Sequence, residues 1–302
     1  MKAIIDMHTH TVASGHAYST IHENIQFAKK HGMKFLGTSD HGSTMTGGPA
    51  EYFFHNLKVV PREMDGVKIL RGMEANILDV NGNIDELDSK ALDGLDYLIA
   101  SLHIVCIEPS TKEDNTMAIL NVMDKEKVKI IGHPDDARYE LDYEAIVKKA
   151  KEKNIHTCLD TSGFVDIEKI DKVLDYTDLV LLDFKHMVEE EAINLTGVGI
   201  EKTIKLAKHL DERNIPIWFR HVLVPGVTDS EENFSKIGEF AATLNNIDRL
   251  EILPYHTMGV HKWENMGLKY DLKDVRDAND EDVARAAEII ERYGVKVFNS
   301  KK

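Results

Sequence analysis

Short apolar runs alternate with amphipathic stretches along the whole chain. Runs at 2–7, 34–39, 67–71, 96–102, 128–132, 155–160, 178–183, 215–222 and 248–253 have strand length. Between them, apolar positions recur with helical spacing. Residues 23–31 carry Ile25 and Ala28 and end at Gly32. Residues 142–153 carry Tyr143, Ile146, Val147 and Ala150, with lysines on the other face. Residues 200–213 place Ile204, Leu206 and Ala207 inward, and 281–293 close on Tyr293-Gly294, a C-cap signal. Alternation on this scale predicts an α/β fold of parallel βα units, wound as an open sheet or a barrel.

Composition narrows the function without marking a domain boundary. The 302 residues suit two domains or one α/β barrel, and 42% apolar with 29% charged residues is ordinary for a globular chain. Lys plus Arg is 37 and Asp plus Glu is 52, a formal charge of -15. That excess argues against nucleic acid or an anionic membrane as partner. A small anionic substrate stays open, because a local metal overrides the global sign. Cys106 and Cys158 are the only cysteines, too few for a disulfide framework, a zinc ribbon or an iron–sulfur cluster. The start, Met1-Lys2-Ala3-Ile4-Ile5-Asp6, is not a signal peptide, and no run approaches ~18 apolar residues. A cytoplasmic location is the expectation. No linker or low-complexity segment interrupts the chain.

Histidine changes the picture: there are 15, nine of them before residue 155. The first predicted strand ends Asp6-Met7-His8-Thr9-His10, and alternation puts His8 and His10 on one face, where two imidazoles can chelate one ion. The next four strands end at His41, Glu74, His103 and His133. In parallel βα architectures the carboxyl ends of strands converge on one face, where sites are built. His16 sits in the first loop above that face. Imidazole and carboxylate suit zinc, manganese or iron. Glu74, the one carboxylate of the set, is placed to bridge two ions. Such a site binds phosphate and activates water, so no nucleophilic side chain is required. His22 and His31 fall on or beside a helix and read as solvated. His55 follows two aromatics and reads as packing. His156, His186, His209 and His261 show no ligand spacing.

These segments resemble the PHP (polymerase and histidinol phosphatase) family, in its YcdX-like trinuclear phosphatase branch. The resemblance rests on D-M-H-T-H at 6–10, A-S-G-H-A-Y-S-T at 13–20, T-S-D-H-G at 38–42, I-L-R-G-M-E-A-N-I at 69–77, S-L-H at 101–103 and G-H-P at 132–134, and covers about residues 1–153. It implies a distorted (βα)7 barrel and phosphoesterase activity. It implies one ion on His8, His10 and Glu74, a second on Glu74, His103 and His133, and a third on His16 and His41. Zinc or manganese, one to three ions, is the expected cofactor, with metal-bound water in place of a catalytic side chain.

From about residue 155 the chain resembles something else. T-C-L-D-T-S-G-F-V at 157–165, D-L-V-L-L-D-F-K at 178–185, W-F-R-H-V-L-V-P-G at 218–226 and L-P-Y-H-T-M-G-V-H-K-W at 253–263 are similar to the C-terminal half of pyruvate formate-lyase activating enzymes, which are radical S-adenosylmethionine (SAM) enzymes. That resemblance implies a monovalent cation among Asp160, Thr161 and Asp183, with SAM contacts from Lys185, Arg220 and His256. The family's three cluster cysteines are absent, so an iron–sulfur cluster and reductive cleavage of SAM are not expected.

The chain therefore reads as one TIM-like (βα) barrel domain, 1–302, joined from a PHP-like half at 1–154 and an activating-enzyme-like half at 155–302. The PHP pattern takes two more ligands from a D-x-H on its seventh strand. Here that place carries Asp183-Phe184-Lys185. Asp183 either completes the first ion site or keeps its role in the other family. A protonated Lys185 cannot ligate, which weakens the third site. The expected activity is metal-dependent hydrolysis of a small phosphate ester, weakened by the missing ligands. A catalytically silent metal-binding barrel and a residual SAM binder without radical chemistry are the alternatives.

Overall fold

A computed structural model of the chain describes residues 4–257, 260, 263 and 266–298. His261 and part of the 253–263 motif lie outside the described residues, as do positions 2 and 3 of the first predicted strand. The chain divides after Lys149 into two compact units. Each is a parallel α/β sheet, the element from which barrel folds are built, so the α/β class expected from the sequence holds.

In the first unit the strands are β1 (Ile5–Thr9), β2 (Phe35–Thr38), β3 (Glu63–Met64), β4 (Val67–Asn76), β5 (Tyr97–Ser101) and β6 (Val128–Ile131). Their order is β1-β2-β4-β5-β6, all parallel, with β3 antiparallel on β4. Parallel neighbours need a crossover connection, and the amphipathic segments supply it. Helix Ile21–Lys30 shows how: Thr20 caps it in a capping box with Glu23, Ile25 and Ala28 face the core, and Gly32, at φ 71°, lies just past its end. Central parallel strands are covered on both faces and carry near-continuous apolar runs. Accordingly, all five residues of β5 are buried.

Strand β4 is longer than its apolar run at 67–71 predicts, for a topological reason. Its first half pairs with β2 (Lys68 with Phe35, Arg71 with Thr38), and its second half pairs with β5 (Gly72 with Tyr97, Asn76 with Ser101). The stagger carries Glu74 into the strand itself instead of the loop beyond it. The added strand β3 follows from Asp65-Gly66. Both residues have positive φ, 54° and 81°, as the tight hairpin turn between Met64 and Val67 requires.

In the second unit the order is β11-β10-β9-β8-β7, again parallel: β7 (Cys158–Thr161), β8 (Leu179–Asp183), β9 (Ile217–Leu223), β10 (Ile247–Pro254) and β11 (Val297–Phe298). The segment predicted at 248–253 thus lies inside this sheet, between β9 and β11. Strand β9 alternates, with Ile217, Phe219, His221 and Leu223 buried and Trp218, Arg220 and Val222 half-buried. Phe219 stacks on Phe184 at 3.8 Å, within a core that includes Leu182, Ile237 and Ile290. Among the described residues no helix is long and apolar enough to cross a membrane.

His221 sits in that core 1% exposed, donating from Nδ1 to the Phe184 carbonyl at 2.8 Å. Burial lowers its pKa from the ordinary 6.5 to about 4. The unfolded chain therefore takes up the proton first. The contribution of His221 to stability is full above pH 6.5 and is lost as pH falls toward about 4. Thermal unfolding followed across this window should show a falling midpoint, and His221→Gln should flatten the slope. An unchanged slope in the variant would exclude His221 as the source.

Candidate metal centre

Six of the histidines read from the first five strands and their loops gather around Glu74. The Glu74 side chain is 1% exposed. Its Oε2 lies 3.0 Å from His8 Nε2, 3.3 Å from His10 Nε2 and 3.1 Å from His41 Nδ1. Its Oε1 lies 3.3 Å from His103 Nε2 and 3.2 Å from His133 Nε2. The alternation in β1 does bring His8 and His10 to the same carboxylate. His16 reaches the cluster by packing on His41 and His10, with ring centroids 4.8 and 5.5 Å away. Three sets within ligand distance result: His8, His10 and Glu74; His10, His16 and His41; and His41, Glu74 and His103. His41 is thus shared between sets, where the resemblance assigned it only to the third ion. His133 joins through Oε1 of Glu74.

Local backbone makes this approach possible. A Cβ on Gly132 would lie 2.2 Å from Ser101 Oγ and 3.4 Å from Glu74 Oε1. Only glycine lets the end of β6 come so close to Ser101, which donates to that carboxylate. The next residue, His133, has φ 30°, a left-handed value that a non-glycine residue holds under strain. Such strain gathers at functional sites, and here it aims an imidazole at Glu74.

A second layer holds the ligands. His103 Nδ1 donates to Asn76 Oδ1 at 2.7 Å, and Asn76 Nδ2 donates to Asp85 at 2.8 Å. Asp85 also accepts from the amide and hydroxyl of Thr44 at 2.7 and 2.6 Å. His16 Nδ1 donates to the Ser14 carbonyl at 3.0 Å. Ser101 Oγ donates to Glu74 Oε1 at 2.7 Å. A ligating histidine ordinarily donates its other ring N–H to such a partner, which fixes the tautomer and orients the ring. Asn76, Asp85, Ser14, Asp40 and Ser101 join the site without having been legible as site residues in the sequence. Strand alternation was an available signal for two of them, since Asn76 follows Glu74 by two positions and Ser101 precedes His103 by two. Asp85 comes from a loop with no pattern.

The electrostatics suit cations. Burial pushes the Glu74 carboxyl up, but hydrogen bonds from His10, His103, His133 and His8 outweigh it and hold it far below the usual carboxylate range. Burial lowers His41 to about 3, so that ring stays neutral with a lone pair to offer. His133 is raised, chiefly by its hydrogen bond to Glu74. The His41 Nδ1 atom tests the fit directly. It is buried and makes no hydrogen bond, because its 3.1 Å contact with Glu74 Oε2 is out of line for one. A buried polar atom without a partner costs about 1–3 kcal/mol. A cation on that nitrogen would supply the missing partner.

The remaining histidines separate from this cluster. His22 and His31 are exposed, as read, with His31 packed on Phe27 at 4.2 Å. His55 is held differently from the packing expected: it pairs with Asp88 at 2.9 Å and faces Glu51, because the helix Glu51–Asn56 ends against the loop carrying Asp88. His156 is exposed, and His209 pairs with Asp171 at 2.7 Å. His186 is buried and accepts from the Val188 amide.

In the second unit, Asp160, Asp183, Lys185 and Arg220 form one charged group. Arg220 grips both Asp160 oxygens and reaches Asp183 Oδ1 at 2.6 Å, while Lys185 holds Asp183 Oδ2 at 2.6 Å. Thr161 Oγ1 accepts from the Gly163 amide at 3.0 Å, and His256 is exposed. A cavity of about 260 Å³ lies beside Asp183 and Lys185, lined also by Ser162, Phe164 and Thr203.

Known proteins match both parts of the chain. A family model described as the PHP domain matches residues 6–169, and one described as the radical SAM superfamily matches residues 111–236. A probable phosphatase of Clostridium novyi is 48% identical over 188 residues, 62% of this chain and 76% of that protein. One from Clostridium acetobutylicum is 52% identical over 155 residues, 51% of this chain and 63% of that protein. Among solved structures, a domain of pyruvate-formate lyase-activating enzyme from Bacteroides vulgatus covers 51% of this chain and 87% of its own, at 24% identity and a TM-score of 0.43.

Gly132→Ala tests the packing of the centre. The added methyl forces Ser101, which donates to Glu74, away from the end of β6. Unfolding should shift by about 1–3 kcal/mol, the usual range for overpacking, with weaker zinc binding in a calorimetric titration. A variant with unchanged stability and affinity would show that this approach is not needed.

Proposed function

The chain belongs to the PHP domain family, and from that premise we propose that it is a metal-dependent phosphoesterase acting on a small phosphate ester. One observation carries the proposal: a single buried carboxylate, Glu74, presents each of its oxygens to a different set of imidazoles. No purely structural ion pair needs five histidines on one carboxylate. Zinc or manganese fits these donors. His8, His10 and Glu74 would hold one ion, Glu74, His103 and His133 a second, and His16 with His41 a third. Divalent ions so placed polarise a phosphoryl oxygen and supply an acidic water, which is why no side-chain nucleophile is assigned.

The protein's own part is to bind and to orient. Glu74 links the positions through its two oxygens. Asn76 and the Ser14 carbonyl hold hydrogens on His103 Nδ1 and His16 Nδ1, so that each Nε2 is the nitrogen left to ligate. The charge of -15 opposes approach of an anionic ester, and salt screens that repulsion. Radical chemistry is no part of the proposal, since Cys106 and Cys158 cannot supply the thiolates of a [4Fe–4S] cluster.

A second reading, a chain that binds metal with little turnover, draws on Asp183. Both oxygens of the expected seventh-strand carboxylate are taken by Arg220 and Lys185. Hydrolysis of a generic aryl phosphate separates the two. The phosphoesterase proposal expects turnover that is abolished by a chelator and restored by manganese or zinc. It expects Glu74→Gln to lower kcat/KM at least 100-fold with loss of bound metal. Metal binding without turnover would favour the second reading. Full activity and full metal content in Glu74→Gln would overturn the site assignment.

A further inference from the structure

We propose that Asp40, acting through Ser14, is the positioning residue that sets His10 in its metal-ligating tautomer; this rests on the metal reading above. Asp40 lies just past β2 and is 1% exposed. Its Oδ1 accepts the Thr11 amide at 2.7 Å and the Ser14 hydroxyl at 2.7 Å, and its Oδ2 accepts the Thr11 hydroxyl at 2.9 Å. Ser14 is wholly buried, in the short turn Val12–Ser14 that follows β1.

The direction of every bond in this group follows from what each atom is able to do. A carboxylate oxygen only accepts, so the one hydroxyl hydrogen of Ser14 points to Asp40. Ser14 Oγ then has only lone pairs for its other neighbours. One is the His41 amide at 3.1 Å, which only donates. The other is His10 Nδ1 at 3.3 Å, which must therefore carry the hydrogen. With that hydrogen held on Nδ1, Nε2 is the nitrogen left to ligate, and it faces Glu74 Oε2 at 3.3 Å. The same serine thus fixes one ligand ring and the backbone of a second ligand.

His10 depends on this relay in a way that His16 and His103 do not. The partner of His16 Nδ1 is a carbonyl, which cannot turn round. The partner of His103 is Asn76 Oδ1, fixed because the amide nitrogen of Asn76 donates to Asp85 and to Thr44 Oγ1. The partner of His10 is a hydroxyl that rotates unless Asp40 holds it. Without that hold, Ser14 is free to donate to Nδ1, and the hydrogen of His10 moves to Nε2, where ligation stops.

Two substitutions separate the parts. Ser14→Ala removes the acceptor for His10. Asp40→Asn removes the charge but keeps the direction, since its amide oxygen still takes Thr11 N–H and Ser14 O–H while its amide nitrogen donates to Thr11 Oγ1. Nitrogen-15 NMR of the zinc-loaded protein reads which nitrogen of each imidazole keeps its hydrogen, and zinc titration reads affinity. The expected result is Nδ1–H at His10 in wild type and in Asp40→Asn. In Ser14→Ala the expectation is a tautomer mixture at His10 with unchanged His103, and zinc affinity weaker by about 10–100-fold at the weakened position. A wild-type His10 bearing its hydrogen on Nε2, or a flipped His10 in Asp40→Asn, overturns the proposal even if Ser14→Ala fails to fold. So does Ser14→Ala with wild-type tautomer and affinity. Failure of the metal reading looks different, as wild-type protein that takes up no zinc.

Discussion

Everything in the first unit turns on holding one carboxylate out of water among imidazoles. An isolated buried carboxylate is costly enough that it ordinarily neutralises or finds partners. Glu74 finds Ser101, His8, His10, His103 and His133 as hydrogen-bond donors, and these outweigh the burial that would protonate it. Other features serve that arrangement. The stagger of β4 places Glu74 between β2 and β5. Gly132 lets the last strand approach, and His133 accepts a strained backbone to face the carboxylate. Two buried aspartates behind the rings, Asp40 and Asp85, set the polarity of the bonds that orient them. The result is a set of imidazole nitrogens turned toward a negative centre, which is the arrangement of a cation site.

Much of this was legible in the sequence because two periods coincide. Strand alternation put His8 and His10 on one face, and the parallel βα order put the ends of five strands together. The nine apolar runs correspond to nine of the eleven strands among the described residues. What escaped has physical reasons. β3 and β11 are two residues each and carry no periodic signal, although Asp65-Gly66 marked the hairpin. The far half of β4 contains Gly72 and Glu74, so its polarity hid a strand that pairing alone extends. Asp85 lies in a loop, and its bond to Asn76 is a long-range contact that no local pattern encodes. His55 looked apolar by its neighbours Phe53 and Phe54, while its partner Asp88 sits 33 positions away.

The second unit carries a different chemistry in similar architecture. Its core is a parallel sheet sealed by Phe184, Phe219 and Ile290, with His221 kept neutral inside it. Its charged residues close on themselves: Arg220 joins Asp160 to Asp183, and Lys185 completes the group. The radical SAM family model begins at residue 111, and the PHP model ends at 169. Two families of βα folds thus describe overlapping parts of one chain, and the strand–helix repeat runs through the overlap without a break. Fold is shared across that overlap; the site residues are not, and function is argued from them.

The proposed phosphoesterase site requires a separate cation on each oxygen of Glu74. Anomalous X-ray diffraction from crystals of the zinc-loaded protein, recorded on both sides of the zinc edge, tests it most directly. The account predicts separate anomalous peaks on the Oε2 side, beside His8 and His10, and on the Oε1 side, beside His103 and His133. Zinc-loaded crystals with no peak next to Glu74, or with zinc bound only elsewhere, would contradict it.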